Sequence, residues 1–207
     1  SVGYLCPKKR TEILVQSFSG SEAQVYFNDL AYWRINVFRE FPYLYEGSLE
    51  NEKSYLQTFF QAPDAVLVLA FADGAVVGAS TALPLQHETG NIKQAFTNSP
   101  FDVPRMFYYS ESVLSKSFRG MGIGKQFFEH REAKAREWGA EWCCFCAVER
   151  PPHHPLRPSD YKPLDGFWQQ QGFVKQSGLT CLMDWKDIDQ PHETTKSLVF
   201  WVKNLNK

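Results

Sequence analysis

Residues 119–125 read Arg-Gly-Met-Gly-Ile-Gly-Lys and stand between a segment with strand character and one with a helical apolar stripe. Alternating glycines leave backbone N–H groups uncovered, and the missing Cβ atoms let the main chain approach an anion closely. A helix starting there adds about half a positive charge at its N-terminus, so a phosphate or pyrophosphate is the natural guest. A glycine turn that caps a helix and holds nothing is the competing reading. A Walker loop would need glycine at 119 and Ser or Thr at 126, where Arg119 and Gln126 stand. A dinucleotide fingerprint starting at Gly120 would need its third glycine at Lys125, so both motifs fail.

A second constellation is Cys143, Cys146, His153 and His154, which offers thiol and imidazole donors for zinc. Both cysteines fall in a run that reads as a buried strand, where free cysteine packs as a small hydrophobe, and adjacent histidines rarely ligate one tetrahedral ion. No metal is expected. The histidines line an entrance or face water. Five cysteines are an odd number, and three of them crowd residues 143–146, so they are read as reduced and the protein as cytoplasmic.

The elements that must position the glycine loop follow from periodicity and turn chemistry. Residues 12–17 suit a strand, and Ser21 with Gln24 forms a capping-box signal for a helix that Pro42 stops. Ser48 caps a shorter helix ending near Phe60. Residues 65–71, Asp73-Gly74 and residues 75–83 read as a hairpin, and residues 105–114 as a strand rich in Phe, Tyr and Val. Residues 90–104 are turn-rich and assigned no element. A helix over 121–138 stops at Gly139, and a buried strand over 141–148 follows. The stretch 150–162 holds four prolines and reads as a stiff loop. A helix over 163–171 and strands over 178–185 and 196–202 complete the chain.

The pattern Arg119-x-x-Gly122-x-Gly124 resembles the acyl-coenzyme A loop of the GCN5-related N-acetyltransferases (GNAT), and it matches without departure. The resemblance covers most of the chain and includes Phe167-Trp168-Gln169-Gln170-Gln171-Gly172-Phe173, which is similar to the family's second motif. It implies an α/β fold with a mixed, mainly antiparallel central sheet flanked by helices, in a single domain over residues 1–207. It implies acetyl-CoA as co-substrate, with the pyrophosphate cradled by Arg119, Gly120, Met121, Gly122, Ile123, Gly124 and Lys125. The pantetheine arm would lie in a splay between strands 105–114 and 141–148.

Acyl transfer from a thioester to an amine needs a deprotonated amine, a donor for the developing oxyanion and a proton for the leaving thiolate. Glu111, eight residues before Arg119 on the central strand, is the candidate base; a strand glutamate that faces solvent or pairs a cation is the alternative. Backbone N–H groups of Val113 and Leu114 are candidates for the oxyanion. Family members often carry a tyrosine where this chain has Trp168, which leaves water, an unaided thiolate or Tyr161 on the stiff loop. The resemblance gives acceptor selection to residues 41–45 and the proline-rich loop, with Tyr43, Tyr45 and Glu149 as wall residues; Tyr43 and Tyr45 are equally suited to a core.

Composition sets outer limits. Of 207 residues, 43% are hydrophobic and 22% charged, which excludes disorder or coiled coil as a description of the whole chain. With 22 Lys+Arg against 23 Asp+Glu, no diffuse positive field gathers nucleic acid or an anionic membrane. The longest apolar run, residues 65–72, is far short of the ~18–20 residues that cross a bilayer, and the opening SVGYLCPKKR has no apolar signal core. The expectation is a cytoplasmic enzyme, monomer or homodimer, that transfers an acyl group to a small-molecule primary amine by direct attack in a ternary complex. The alternatives are a coenzyme-A-binding sensor without turnover, and a protein N-terminal or lysine acetyltransferase.

Overall fold

The computed structural model describes residues 9–206, so most of the opening segment, where no signal core is read, lies outside them. In chain order the elements are β1 (Ile13–Phe18), α1 (Ser21–Gln24), α2 (Phe27–Phe38), α3 (Leu49–Gln61), β2 (Val66–Ala72), β3 (Ala75–Pro84), α4 (Gly90–Lys93) and β4 (Met106–Leu114). They continue with α5 (Ile123–Trp138), β5 (Trp142–Val148), α6 (Asp165–Gln170), β6 (Val174–Lys186) and β7 (Glu193–Asn204). The strands form one sheet in the order β1-β2-β3-β4-β5-β7-β6, and only β4 and β5 run parallel. This is the mixed, mainly antiparallel sheet that the family resemblance implied. No helix among the described residues is long and apolar enough to cross a membrane.

Both faces of the sheet are covered, which is why β2 reads Val-Leu-Val-Leu-Ala-Phe-Ala without a polar residue. On one face, Phe127, Phe128 and Ala135 of α5 pack on Val66, Val68, Phe107, Tyr109 and Cys143. On the other, Leu30 and Ala31 of α2 and Leu56 and Phe59 of α3 cover Leu67, Leu69, Ala79 and Val113. Beside them Leu85, Ile92 and Phe96 cover Met106, Tyr108, Cys144 and Phe200.

Local signals and outcome agree at several points. Ser48 Oγ accepts from Asn51 N at 3.2 Å, and the Asp73-Gly74 turn has φ of 48° and 83°, as a tight hairpin requires. The Ser21/Gln24 capping box is not formed. Gly20 is the N-cap without a side-chain bond, α1 lasts four residues, and the chain restarts at Phe27. That break seats Tyr26 between Phe18 and Phe71, at ring distances of 4.8 and 6.1 Å, so aromatic packing overrides helix continuity. Strands β6 and β7 run beyond their expected bounds because β6 absorbs an irregularity between Gln176 and Thr180 and resumes pairing.

Two irregularities shape the middle of the sheet. Pairing of β4 with β5 stops after Met106↔Trp142, Phe107↔Cys143 and Tyr108↔Cys144, whereas β4 continues along β3 to Leu114 and β5 along β7 to Val148. The two parallel strands therefore diverge and leave a gap. In β4 a bulge falls at Ser110, since Glu111 pairs with Thr81 and Tyr109 with Ala82. The extra residue turns Glu111 toward α2, on the face that already takes Tyr108.

Candidate active site

The glycine loop lies where β4 hands the chain to α5. Gly120 and Gly122 have φ of 77° and 84°, and a Cβ added at either would meet nothing within 4 Å. The space above the loop is thus open to a guest, and Gly122, the N-cap of the 16-residue α5, supplies no side-chain cap to its first N–H groups. Arg119 anchors this loop, with Nε donating to Leu114 O at 3.0 Å and Nη2 to Glu40 Oε2 at 2.8 Å. At Gly78 a Cβ would stand 2.6 Å from the Leu114 side chain and 2.9 Å from Val113 O, so only glycine lets β3 come this close to the end of β4.

Opposite the loop, on the α2/α3 face, is a cavity of about 610 Å³. Its lining includes Ser110 and Cys146, each two residues beyond the last β4–β5 pair, so the cavity opens onto the gap between the strands. Aromatic walls come from Phe38, Tyr43, Tyr45, Tyr55, Tyr108 and Trp185. Four carboxylates line it, Glu46, Glu88, Asp184 and Glu193, against two cations, Arg34 and Lys186. Both cations are already paired, Lys186 with Glu46 and Arg34 with Glu52 and Glu111, so the lining favours a cationic guest.

Arg34 is the hub beneath this cavity. Its Nε donates to Glu52 Oε2 at 2.5 Å, its Nη1 lies 3.1 Å from Glu111 Oε2, and Tyr45 OH donates to Glu52 Oε1 at 3.0 Å. Burial works to lower the Arg34 pKa, but the Glu111 and Glu52 carboxylates overcome it and hold the guanidinium charged. Burial pushes the Glu111 carboxyl up, against Arg34. A second buried guanidinium, Arg131 of α5, donates to Glu111 O at 3.3 Å, closing a carbonyl at the bulge. Its ring contacts are Tyr109 and Phe128, and burial brings its pKa down to about 10.

A family model described as Acetyltransferase (GNAT) family matches residues 30–158, from α2 through the glycine loop to the proline-rich segment. The chain belongs to the GNAT acetyltransferase family. Its fold is similar to a GCN5-related N-acetyltransferase from Kribbella flavida, with TM-score 0.57 and 13% identity over 93% of this chain and 98% of that one. It is also similar to a ribosomal-protein-alanine N-acetyltransferase from Brucella melitensis, with TM-score 0.56 and 17% identity over 93% and 99%. An N-acetyltransferase from Staphylococcus aureus Mu50 superposes with TM-score 0.58 and 12% identity over 94% and 99%. No curated protein matches the sequence.

In this GNAT acetyltransferase the residues singled out from sequence fall into two groups. Arg119 and residues 120–125 sit together at the start of α5, Val113 and Leu114 end the strand beside them, and Tyr43 and Tyr45 line the cavity. Glu111 lies behind the cavity, 5% exposed, with its carboxylate turned to Arg34. Glu149 follows β5 and is exposed, bonded through its backbone N to Ser197 O, off the cavity wall. Tyr161 packs edge-on against Phe41 at 4.8 Å with Arg157 over its ring, also off that wall. Trp168 is held in the α5-side core by Phe145 and Trp201, at 4.9 and 5.2 Å. Cys143 and Cys146 point to opposite faces of the sheet, so they cannot share a ligand, and the four cysteines among the described residues are free.

Sequence reasoning passed over Arg34, Glu52, Glu88 and Tyr108. A signal for the first two existed: Arg34 follows Leu30 and Ala31, and Glu52 precedes Leu56 and Phe59, so each puts a charge on its helix's buried stripe. Another unmarked residue, Arg150, fixes the aromatic wall. It donates to Pro42 O at 2.7 Å and Tyr43 O at 2.8 Å and holds Asp187 through two bonds of 2.8 and 2.9 Å. Burial opposes ionisation of Asp187, yet Arg150 and Lys196 keep its carboxyl below the ordinary value. Arg150→Ala should cost about 2–4 kcal/mol at pH 7 by urea unfolding, because it strands a half-compensated carboxylate. The depressed pKa contributes stability above the unfolded value of 3.8, so the cost should shrink as pH falls through that value. An equal cost at pH 3 and pH 7 would assign it to lost packing.

Proposed function

We propose that this acetyltransferase moves the acetyl group of acetyl-CoA onto a primary amine of a small cationic molecule, by direct attack in a ternary complex. The observation that carries the reading is the meeting of cavity and gap: a guest on the α2/α3 face reaches the divergence of β4 and β5, where the pantetheine arm of a coenzyme cradled at residues 119–125 would end. The volume suits a small molecule, and aromatic walls with surplus carboxylate suit an ammonium or a larger organic cation.

Bound acetyl-CoA supplies a thioester carbonyl as electrophile. The chain's own contribution is positional. Alternate residues of β4 direct their N–H groups away from β3, so beyond Tyr108 one of Val113 and Leu114 offers its N–H to the gap as oxyanion donor. The leaving thiol, with an ordinary pKa near ~8.5, departs readily as thiolate, and the chemistry works without a phenol at position 168. Acetyl-CoA should stabilise the fold by about 2.7 kcal/mol at one hundred times its dissociation constant, and NADH and ATP by much less. Thiol release with benzylamine, tyramine and putrescine tests the transfer. A melting temperature unmoved by millimolar acetyl-CoA would overturn the coenzyme assignment, and binding without thiol release from any amine would favour a sensor.

A further inference from the structure

We infer that Glu88 is the carboxylate that receives the acceptor's ammonium group in the cavity and takes its proton before attack. The inference rests on the cavity being the acceptor site and names a residue that neither the coenzyme loop nor the family's motifs contain.

Of the four carboxylates that line the cavity, Glu46 is paired with Lys186, Asp184 accepts from Thr195 and Glu193 is exposed, while two carboxylates behind the wall, Glu52 and Glu111, are committed to Arg34. Glu52 has a fully buried side chain held by Arg34 and Tyr45, and Glu111 has a side chain 1% exposed, held by Arg34 and absent from the cavity wall. Glu88 lines the cavity together with Tyr55, Tyr108 and Ser110. Among the described residues its carboxylate has neither a hydrogen bond nor an ion pair. Glu88 is half-buried, and Ser110 Oγ, on the same wall and next to Glu111 in the chain, is buried without a partner. A half-buried carboxylate without a partner, on a wall that also carries a buried hydroxyl without one, leaves polar capacity for a guest in the cavity to satisfy.

The backbone fixes Glu88 in this position. It follows the 3-10 turn Leu85–His87, its N–H donates to Leu85 O at 3.0 Å, and it stands between the buried anchors Leu85 and Ile92. The groups facing it are Arg34 from α2, Tyr55 from α3, Lys93 from α4, and Tyr108 and Glu111 from β4, with His87 beside it in the chain. The β6 and β7 side of the cavity adds Asp184, Lys186 and Glu193. Burial and the Glu111 charge push the Glu88 carboxyl up to about 7, against Arg34 and Lys93, which suits a base working near neutral pH.

The ammonium R–NH3+ gives one proton to the Glu88 carboxylate and becomes R–NH2. Its nitrogen lone pair forms the C–N bond to the thioester carbonyl, and the C–S electron pair leaves on sulfur. The second amine proton goes to the thiolate, directly or through water, and Glu88 returns its proton to solvent.

The test uses the whole protein loaded with acetyl-CoA, labelled with carboxyl-13C glutamate and titrated from pH 4 to 9, with Glu88→Gln assigning the resonance. A midpoint near 7 is expected, moved by benzylammonium and not by the neutral isostere benzyl alcohol. Because the charged carboxylate is desolvated, Glu88→Gln should raise the melting temperature at pH 8 relative to the parent and leave it unchanged at pH 4. With any amine that releases thiol, Glu88→Gln should lower kcat/KM about a hundredfold near pH 7, and the loss should shrink toward the amine's own pKa near ~10. Coenzyme stabilisation of the fold should be unaffected. A Glu88 midpoint near 4.5, indifference of its resonance to benzylammonium, or a wild-type rate in Glu88→Gln each overturns the inference. Failure of the parent to bind acetyl-CoA or to release thiol instead overturns the function proposed above, and the titration then decides Glu88 separately.

Discussion

Arg34→Ala should destabilise the protein by about 3–5 kcal/mol, the largest effect expected of any single substitution at the site. It removes the one guanidinium that compensates two carboxylates, Glu52 and Glu111, whose side chains are 0% and 1% exposed. Both oxygens of Glu111 are without a hydrogen-bond partner even in the intact cluster. The loss would be a large share of the 5–15 kcal/mol that typically separates folded from unfolded states. Urea unfolding at pH 7 measures it, with an unchanged m-value showing that stability and not compactness has moved. The triple variant Arg34→Met, Glu52→Gln, Glu111→Gln should recover much of the loss, because the cost lies in stranded charge more than in lost attraction. A cost below 1 kcal/mol for Arg34→Ala, the range of an exposed ion pair, would show that the cluster is hydrated.

Gly122→Val should weaken acetyl-CoA binding tenfold or more. Valine at φ of 84° adopts left-handed backbone that a β-branched residue rarely takes, and its branches stand in the open space above the loop where a pyrophosphate would sit. Strain alone would also cost stability, so the two causes must be separated. Gly139 provides the control: it caps the other end of α5 at φ of 94°, again with nothing within 4 Å of an added Cβ, far from the loop. Gly139→Val should lose a similar amount of stability, about 1–3 kcal/mol, and keep its coenzyme affinity. If calorimetric titration finds equal affinities for both variants and the parent, residues 119–125 are not the cradle.

The difference between the legible and hidden parts of this site is one of range. The loop proposed to hold the coenzyme could be read because its chemistry is backbone chemistry: alternating glycines, an arginine and a helix start within seven residues of chain. The cavity proposed for the acceptor draws Tyr45 from before α3, Glu88 from after β3, Ser110 from β4 and Trp185 from β6, and no local pattern unites them. Glu111 shows the limit most clearly. Its place on the central strand was evident, but regular alternation could not tell which face it would take, because the bulge at Ser110 changes the count.

By itself, the amino-acid sequence determined the alternation of strands and helices, the hairpin turn at Asp73-Gly74, the two ends of α5 and the glycine-rich loop at its start. These depend on φ preferences, capping and periodicity within a few residues. Only the tertiary structure decided that β4 and β5 part after three pairs, that α1 stops after four residues to seat Tyr26 between Phe18 and Phe71, and that Arg34 joins Glu52 and Glu111. It also decided that Glu88 reaches the cavity unpaired. Each of these is set by which distant groups compete for the same buried space, where an unmatched charge or an unfilled contact costs more than any local preference supplies.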